Sequence, residues 1–498
     1  MNLNTQFVFD GKLKTVLYAG MAVGVLCLGL TWLNDDEYHT RFWTNYLHNA
    51  VFFTGISFTA MFFLSAQITA FAGWITVIRR IWEAMSQFML VGLGLMAVIV
   101  AGVWGKIHLY HWLTPGLSDP KSPLYDKVLA GKAGFLNPVF FTVAVLGFLG
   151  IWAYWAYKLR QLSIEQDTME TASFDYYKKQ RKWAASFLPL GGFLSTVFLW
   201  ESMMSIDPHW YSTMFAWYST VSLWLGGMSM MIMLIIYLKS RNYLEYVTVN
   251  HLHDIGKYLF GISVFWTYLW FDQFMLIWYA NNGEETTYFN QRMNHYPVLF
   301  WGNLLMNFAV PFLILMRNDT KRKFGTMFFV SLIVFFGHWW DYFYMIKPGA
   351  REAAHEAKEI SMNKGAKKAH EAAPISTGKA AEAAPKAEAV VAEGQPAEHK
   401  EAKAEGAKKE EAGKKEEAKS EAGEAKEDES TSFQIGYTLP GLPELGILIG
   451  FLSLFLFFFF WQLSRASLVP LKDPFLEESL HHDTGALIEG EEGDAGHH

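Results

Sequence analysis

The chain has 498 residues, 52% of them hydrophobic and 17% aromatic, and its repeated apolar runs of about 20 residues exclude a string of soluble domains. Of its 89 charged residues 34 fall between Arg351 and Ser430, so the net charge of -7 says little about partners and nothing points to nucleic acid. Its one cysteine, Cys27, cannot by itself build a disulfide, a Cys-ligated iron–sulfur cluster or a C-x-x-C-H haem attachment.

Taken in order, the apolar runs are Leu13 to Leu33, Tyr46 to Ala72, Met85 to Trp112, Pro138 to Tyr157, Ala185 to Ile206, Met214 to Leu238, Ile255 to Ala280, Pro297 to Met316, Phe324 to Ile346 and Leu445 to Leu463. They predict an all-α polytopic membrane protein with about ten transmembrane helices. The first run has no small-residue cleavage site and exceeds a signal-peptide core, so it reads as a retained helix. Basic residues occupy alternate loops (Arg79 and Arg80; Lys158 to Lys182; Lys239 and Arg241; Arg317 to Lys323), while Asp35, Asp36 and Glu37, then Glu201 and Asp207, then Glu284 and Glu285 are expected in the intervening ones. The positive-inside rule then puts both termini in the cytoplasm.

The Ala/Lys/Glu-rich insert from about Gly349 to Thr431 has almost no aromatic or branched apolar residues and is expected to be a disordered or transiently helical tether on the outer side. The expected organisation is residues 1–40 with the first helix, further spans over 41–206 and 207–347, the insert over 348–441, the last helix within 442–466 and a docking tail over 467–498.

Ionisable groups inside lipid-length helices cost about 2.5 to 3.5 kcal/mol each on insertion scales and usually face a protein interior or a water-filled path. The seventh run carries His253, Asp254 and Lys257 on one face at its mouth, with Tyr268 and Asp272 four residues apart further along. Lys257 and Asp272 are separated by about 22 Å of helix. Asn303 and Asn307 share a face of the eighth run, and His338 and Asp341 a face of the ninth. A proton path through His253, Asp254, Lys257, Tyr268, Asp272, His338 and Asp341 is one reading; structural pairing of the same groups is the other.

A second set lies at the opposite side: His108, His111, Glu201, Asp207 and His209. A quinol needs a hydrogen-bond acceptor at each hydroxyl, which a His/carboxylate pair supplies. An interfacial belt with Trp104, Trp112, Trp200 and Trp210 is the competing reading. Haem b would need histidines at matched depth, and His338 alone sits well inside a run. Nothing in the chain resembles a P-loop, a dinucleotide fingerprint or a nucleophile elbow.

The runs Ser205-Ile206-Asp207-Pro208-His209-Trp210-Tyr211-Ser212-Thr213-Met214-Phe215, Asn250-His251-Leu252-His253-Asp254-Ile255-Gly256-Lys257 and Phe265-Trp266-Thr267-Tyr268-Leu269-Trp270-Phe271-Asp272-Gln273 resemble alternative complex III, the bacterial quinol:cytochrome c oxidoreductase. Within it they are similar to the polysulfide-reductase-like (NrfD/PsrC-like) membrane subunits, and more narrowly to the ActF-like ones. The resemblance covers nearly all the runs but not the charged insert. It implies two four-helix bundles flanked by the first and last helices, in the bacterial inner membrane. It further implies a sister subunit, an iron–sulfur subunit and multihaem cytochrome c subunits as partners, and leaves open whether cytochrome c or a terminal oxidase is the acceptor. Quinone or menaquinone is the implied ligand, with no haem or iron–sulfur cluster on this chain. Whether such a subunit carries protons, quinone or only structure stays open at the level of sequence.

Overall fold

The computed structural model describes residues 6–372 and 432–483, with side chains left out over 363–372. Among the described residues there are helices and no strand. Ten helices are long and apolar enough to cross a membrane: α1 Gly11–Leu33, α2 Thr40–Thr69, α3 Gly73–Trp104, α4 Pro138–Asp167, α5 Phe174–Ile206, α6 Thr213–Ser240, α7 Val249–Ala280, α8 Pro297–Leu315, α9 Phe324–Met362 and α10 Leu442–Leu463. The protein is thus an all-α, multi-pass membrane protein.

Local chemistry sets the ends. Asp10 accepts the Leu13 N–H at 2.8 Å and starts α1. Asn137 accepts the Phe140 N–H at 2.9 Å ahead of Pro138, whose missing N–H costs nothing in the first turn. Asn281, at φ 47°, stops α7 in the left-handed conformation that asparagine tolerates.

Helix α2 packs on α3, α5 and α6, α3 on α4, and α4 on α5; α6 packs on α7, and α7 on α8. Helix α9 reaches α2, α6, α7 and α8 through side-chain hydrogen bonds. Helix α2 is the most enclosed span, 89% of its apolar window being buried, against 17% for α1. Helix α1 is held mainly by α10, where Gly24 and Gly450 bring the two backbones so close that a Cβ on either would overlap the other's Cα. Small residues at such crossings let dispersion act over the whole interface, which lipid-exposed helices depend on.

Both described termini lie on one side. The Gln6 side-chain amide donates to Ser464 O at 3.0 Å. The tail beyond α10 folds across the helix ends on this termini side: Asp473 pairs with Arg79 at 2.8 Å, Ser479 Oγ donates to Trp74 O at 2.7 Å, and His482 Nε2 meets Asp254 Oδ2 at 2.8 Å.

Three expectations change. The third span begins at Gly73 rather than Met85, because Arg79, Arg80 and Glu83 are buried in helix instead of forming a loop. It ends at Trp104, where Lys106 takes φ 58°, so His108 and His111 belong to the following loop. The helix of α9 continues through Pro348 to Ala372, so the first part of the insert is helical, in keeping with its Ala, Glu and Lys content. The insert from 373 to 431 lies outside the described residues. Contacts divide the chain into a unit of residues 1–354 and 434–498, which holds α1 to α8, α9 as far as Ala354 and α10, and a unit of residues 355–433, which takes the rest of the α9 helix, described to Ala372.

Candidate functional site

Helix α9 carries Asp341 into the middle of α6, α7 and α8, where it is fully buried. Four neutral donors surround its carboxylate. The Tyr218 hydroxyl and the Asn303 amide reach Oδ1; Ser222 Oγ donates to Oδ2 at 2.8 Å and Trp266 Nε1 at 3.2 Å. Each donor comes from a helix other than α9, so the cage exists only when α6, α7 and α8 are packed. His338, one turn earlier on α9, places Nδ1 2.9 Å from the same Ser222 hydroxyl and 4.0 Å from Asp341. Asn307 sits in a single π turn, Leu305–Ala309, which re-aims its amide toward Asn303 Oδ1 at 2.6 Å and Gly337 O at 3.0 Å.

No arginine or lysine pairs with Asp341 among the described residues. Its donors are neutral, and two of them, Tyr218 and Ser222, carry hydroxyls that can donate or accept. The carboxyl can therefore change protonation state without breaking an ion pair. Toward the termini side, His338 Nε2, Asn307 Oδ1, Ser263 Oγ, Ser331 Oγ and Ser229 Oγ are buried and meet no hydrogen-bond partner among the described residues. Buried polar atoms are normally matched, by ordered water where protein groups are missing. Ser331 lies about 15 Å along α9 from Asp341 and Ser263 about 13 Å along α7 from Asp254, so these atoms span the depth between the mouth and the cage.

The seven residues expected on a proton path fall in three places. His338 and Asp341 form the cage. His253, Asp254 and Lys257 lie at the termini-side mouth, where Asp254 pairs with Lys257 at 2.6 Å and with His482 at 2.8 Å, and His253 Nδ1 is 3.7 Å from Asp254. Tyr268 is 59% exposed and Asp272 half-buried, and neither bonds to the cage. Sequence reasoning missed Tyr218, Ser222 and Trp266. The spacing of Tyr218 and Ser222, four apart on α6, is the signal that could have found the first two.

The second expected set is divided by the fold. His209 Nε2 meets Asp126 Oδ2 at 2.6 Å, with the buried His111 ring 5.8 Å from His209. His108 packs 4.1 Å from Tyr38, and burial lowers its pKa against the pull of Glu37 and Asp36. Asp207 turns away to Arg292 at 3.0 Å. Glu201 is fully buried in α5, and neither of its oxygens meets a donor among the described residues. Asp126 and Arg292, both outside the apolar runs, were not anticipated.

The described residues hold no group of three or more His, Cys, Asp or Glu arranged to bind a metal ion. No family model and no curated protein matches the chain.

Proposed function

We propose that this chain is a membrane subunit of a respiratory quinol-oxidising complex of the alternative complex III type, and that its own contribution is an intramembrane proton path centred on Asp341. The observation that carries the proton role is the cage itself: a fully buried carboxyl with four neutral hydrogen-bonding partners, two of them reversible hydroxyls, and His338 reached through Ser222. Intramembrane ionisable groups arranged in this way are the usual elements of proton relays. The membership in such a complex rests on the three sequence runs that include Asp207, Asp254 and Asp272. The positive-inside pattern supports a cytoplasmic termini side, and the resemblance of the three runs implies the bacterial inner membrane. Protons then enter near Asp254 and Lys257, pass the level of Ser263, Ser331 and Asn307, and reach His338 and Asp341. Tyr268 and Asp272, displaced from the cage, are assigned no step on this route.

Purification in mild detergent through a tag on this chain tests the membership. Multihaem c and iron–sulfur partners with quinol-oxidising activity are expected; a colourless homogeneous protein, under conditions that preserve membrane complexes, rejects it. In the reconstituted complex, Asp341→Asn is expected to abolish proton translocation while quinol oxidation continues. Unchanged translocation would remove Asp341 from the path.

A quinol site on the far side is the second reading, favoured by the His209–Asp126 contact at 2.6 Å beside His111. It predicts that replacing His209 and His111 together stops quinol turnover with assembly intact.

A further inference from the structure

Beyond Asp341, toward the far side, lies the ion pair of Arg292 with Asp207. Arg292 lies on the surface helix Gly283–His295 and is almost wholly buried, with 1% of its side chain exposed. Its guanidinium donates to Asp207 Oδ2 at 3.0 Å and rests 3.5 Å from the centroid of the Tyr288 ring, on which Trp210 is stacked at 3.8 Å. Backbone carbonyls of Tyr288 and Met345 accept further N–H groups of Arg292 at 3.3 and 3.5 Å. Asp207 keeps 23% of its side chain exposed and is the member of the pair that reaches the surface.

Tyr344, one turn beyond Asp341 on α9, joins the cage to this pair. Its ring centroid is 5.8 Å from the Arg292 guanidinium, and it interacts electrostatically with both Arg292 and Asp341. The buried Tyr344 hydroxyl and Arg292 Nε meet no hydrogen-bond partner among the described residues, which continues the series of unmatched polar atoms past the cage. The pair is also positioned sterically: Gly349, about 12 Å along α9 from Asp341, packs on the Asp207 carboxylate so closely that a Cβ would overlap both oxygens.

A fixed, buried cation raises the energy of any second cation in the same passage, and arginine barriers of this kind exclude protons from other membrane pores. Burial opposes the charge on Arg292, but Tyr288 and Asp207 beside it hold its pKa above the ordinary arginine value, so the barrier stays charged. We propose that Arg292 and Asp207 form the far-side gate of the Asp341 site: closed, the pair keeps protons from returning to Asp341 from the far side, and release proceeds through Asp207 when the pair parts. The proposal rests on reading Asp341 as the proton-holding group.

The test is passive proton flux. The purified full-length chain is reconstituted in liposomes with an entrapped pH dye, and a potassium diffusion potential is imposed in either direction. Wild type, Asp341→Asn and Arg292→Lys are expected at the lipid baseline. Arg292→Gln is expected to raise the flux on the order of tenfold, and Arg292→Gln with Asp341→Asn to return it to baseline. Gly349→Ala leaves both charges in place but displaces Asp207, and carries the same expectation as Arg292→Gln should that variant fail to fold. Baseline flux in both Arg292→Gln and Gly349→Ala overturns the gate, as does a leak that persists in the double variant. The proton-path reading fails separately, on undiminished translocation by Asp341→Asn in the assembled complex.

Discussion

Two buried polar clusters sit in the two halves of the span array, and they differ in charge. At the termini side of α3, Arg79 pairs with Glu83 at 3.0 Å and Asp473 at 2.8 Å, Arg80 with Asp167 at 2.6 Å and Glu83 at 3.4 Å, and Arg160 approaches Glu83 at 4.0 Å. Three guanidinium groups thus face three carboxylates. Around Asp341 there is one carboxyl and no arginine or lysine partner among the described residues. Both clusters leave single atoms unmatched, among them Arg80 Nε and His338 Nε2, so hydrogen-bond satisfaction does not separate them. Charge balance does. A matched ring gives each charge an opposite partner and ties α3, α4 and the tail together; a lone carboxyl among neutral donors can gain or lose a proton without breaking an ion pair.

The sharpest way to break the comparison is to unbalance the ring. Glu83→Ala leaves Arg79, Arg80 and Arg160 short of a shared buried partner, a change that costs about 3–5 kcal/mol in such settings. The expected outcome is a large fall in the thermal midpoint of the detergent-solubilised protein, or loss of the folded chain, with Glu83→Gln intermediate. A midpoint unchanged by Glu83→Ala would mean that the ring contributes little to stability and that the contrast with Asp341 is false.

Neutralising the cage should do the reverse. Asp341→Asn keeps the shape of the side chain and removes no ion pair, so its cost is that of mismatched hydrogen bonds, about 1–3 kcal/mol. Its thermal midpoint is expected well above that of Glu83→Ala, while its effect on proton movement is the larger of the two. A variant of Asp341 as unstable as one of Glu83 would make the cage a structural device of the same kind.

The spans were legible because run length and loop charge act locally in sequence: each apolar stretch that must cross lipid announces itself. The start of α3 was not, since Arg79, Arg80 and Glu83 look like loop residues until Asp167 and Asp473, far off in the chain, neutralise them. In the cage, His338 with Asp341 and Asn303 with Asn307 were visible as polar pairs at helical spacing. Tyr218, Ser222 and Trp266 were not, because they are unremarkable in any apolar helix until another helix brings a carboxylate to them. Asp272 and Asp341 look alike as single acids in apolar runs. They differ in the rotational phase of their helices, which packing fixes and hydropathy does not record. Arg292 was hidden by its place in a short helix between spans.

The smallest effect concerns a carboxylate outside the spans, where water moderates every charge. Asp126 caps the helix Lys127–Lys132, accepting the N–H groups of Val128 at 2.7 Å and Leu129 at 3.1 Å, and meets His209 at 2.6 Å. Burial opposes its ionisation, but the His209 contact and the two backbone N–H groups outweigh it, so its pKa lies below the ordinary aspartate value. A depressed folded-state pKa contributes stability that is complete above the unfolded value of about 4 and is lost as pH falls through the folded one. Asp126→Ala should therefore weaken this helix by about 1 kcal/mol at neutral pH and by progressively less under acid conditions. Amide exchange at Val128 and Leu129, corrected for intrinsic rates, measures the difference between wild type and variant. A difference that stays constant from neutral pH to below the folded-state pKa would show that the ionised carboxylate does not hold the cap. His209 would then be positioned by packing against His111 rather than by Asp126, and the far-side reading that depends on the His209–Asp126 contact would lose its support.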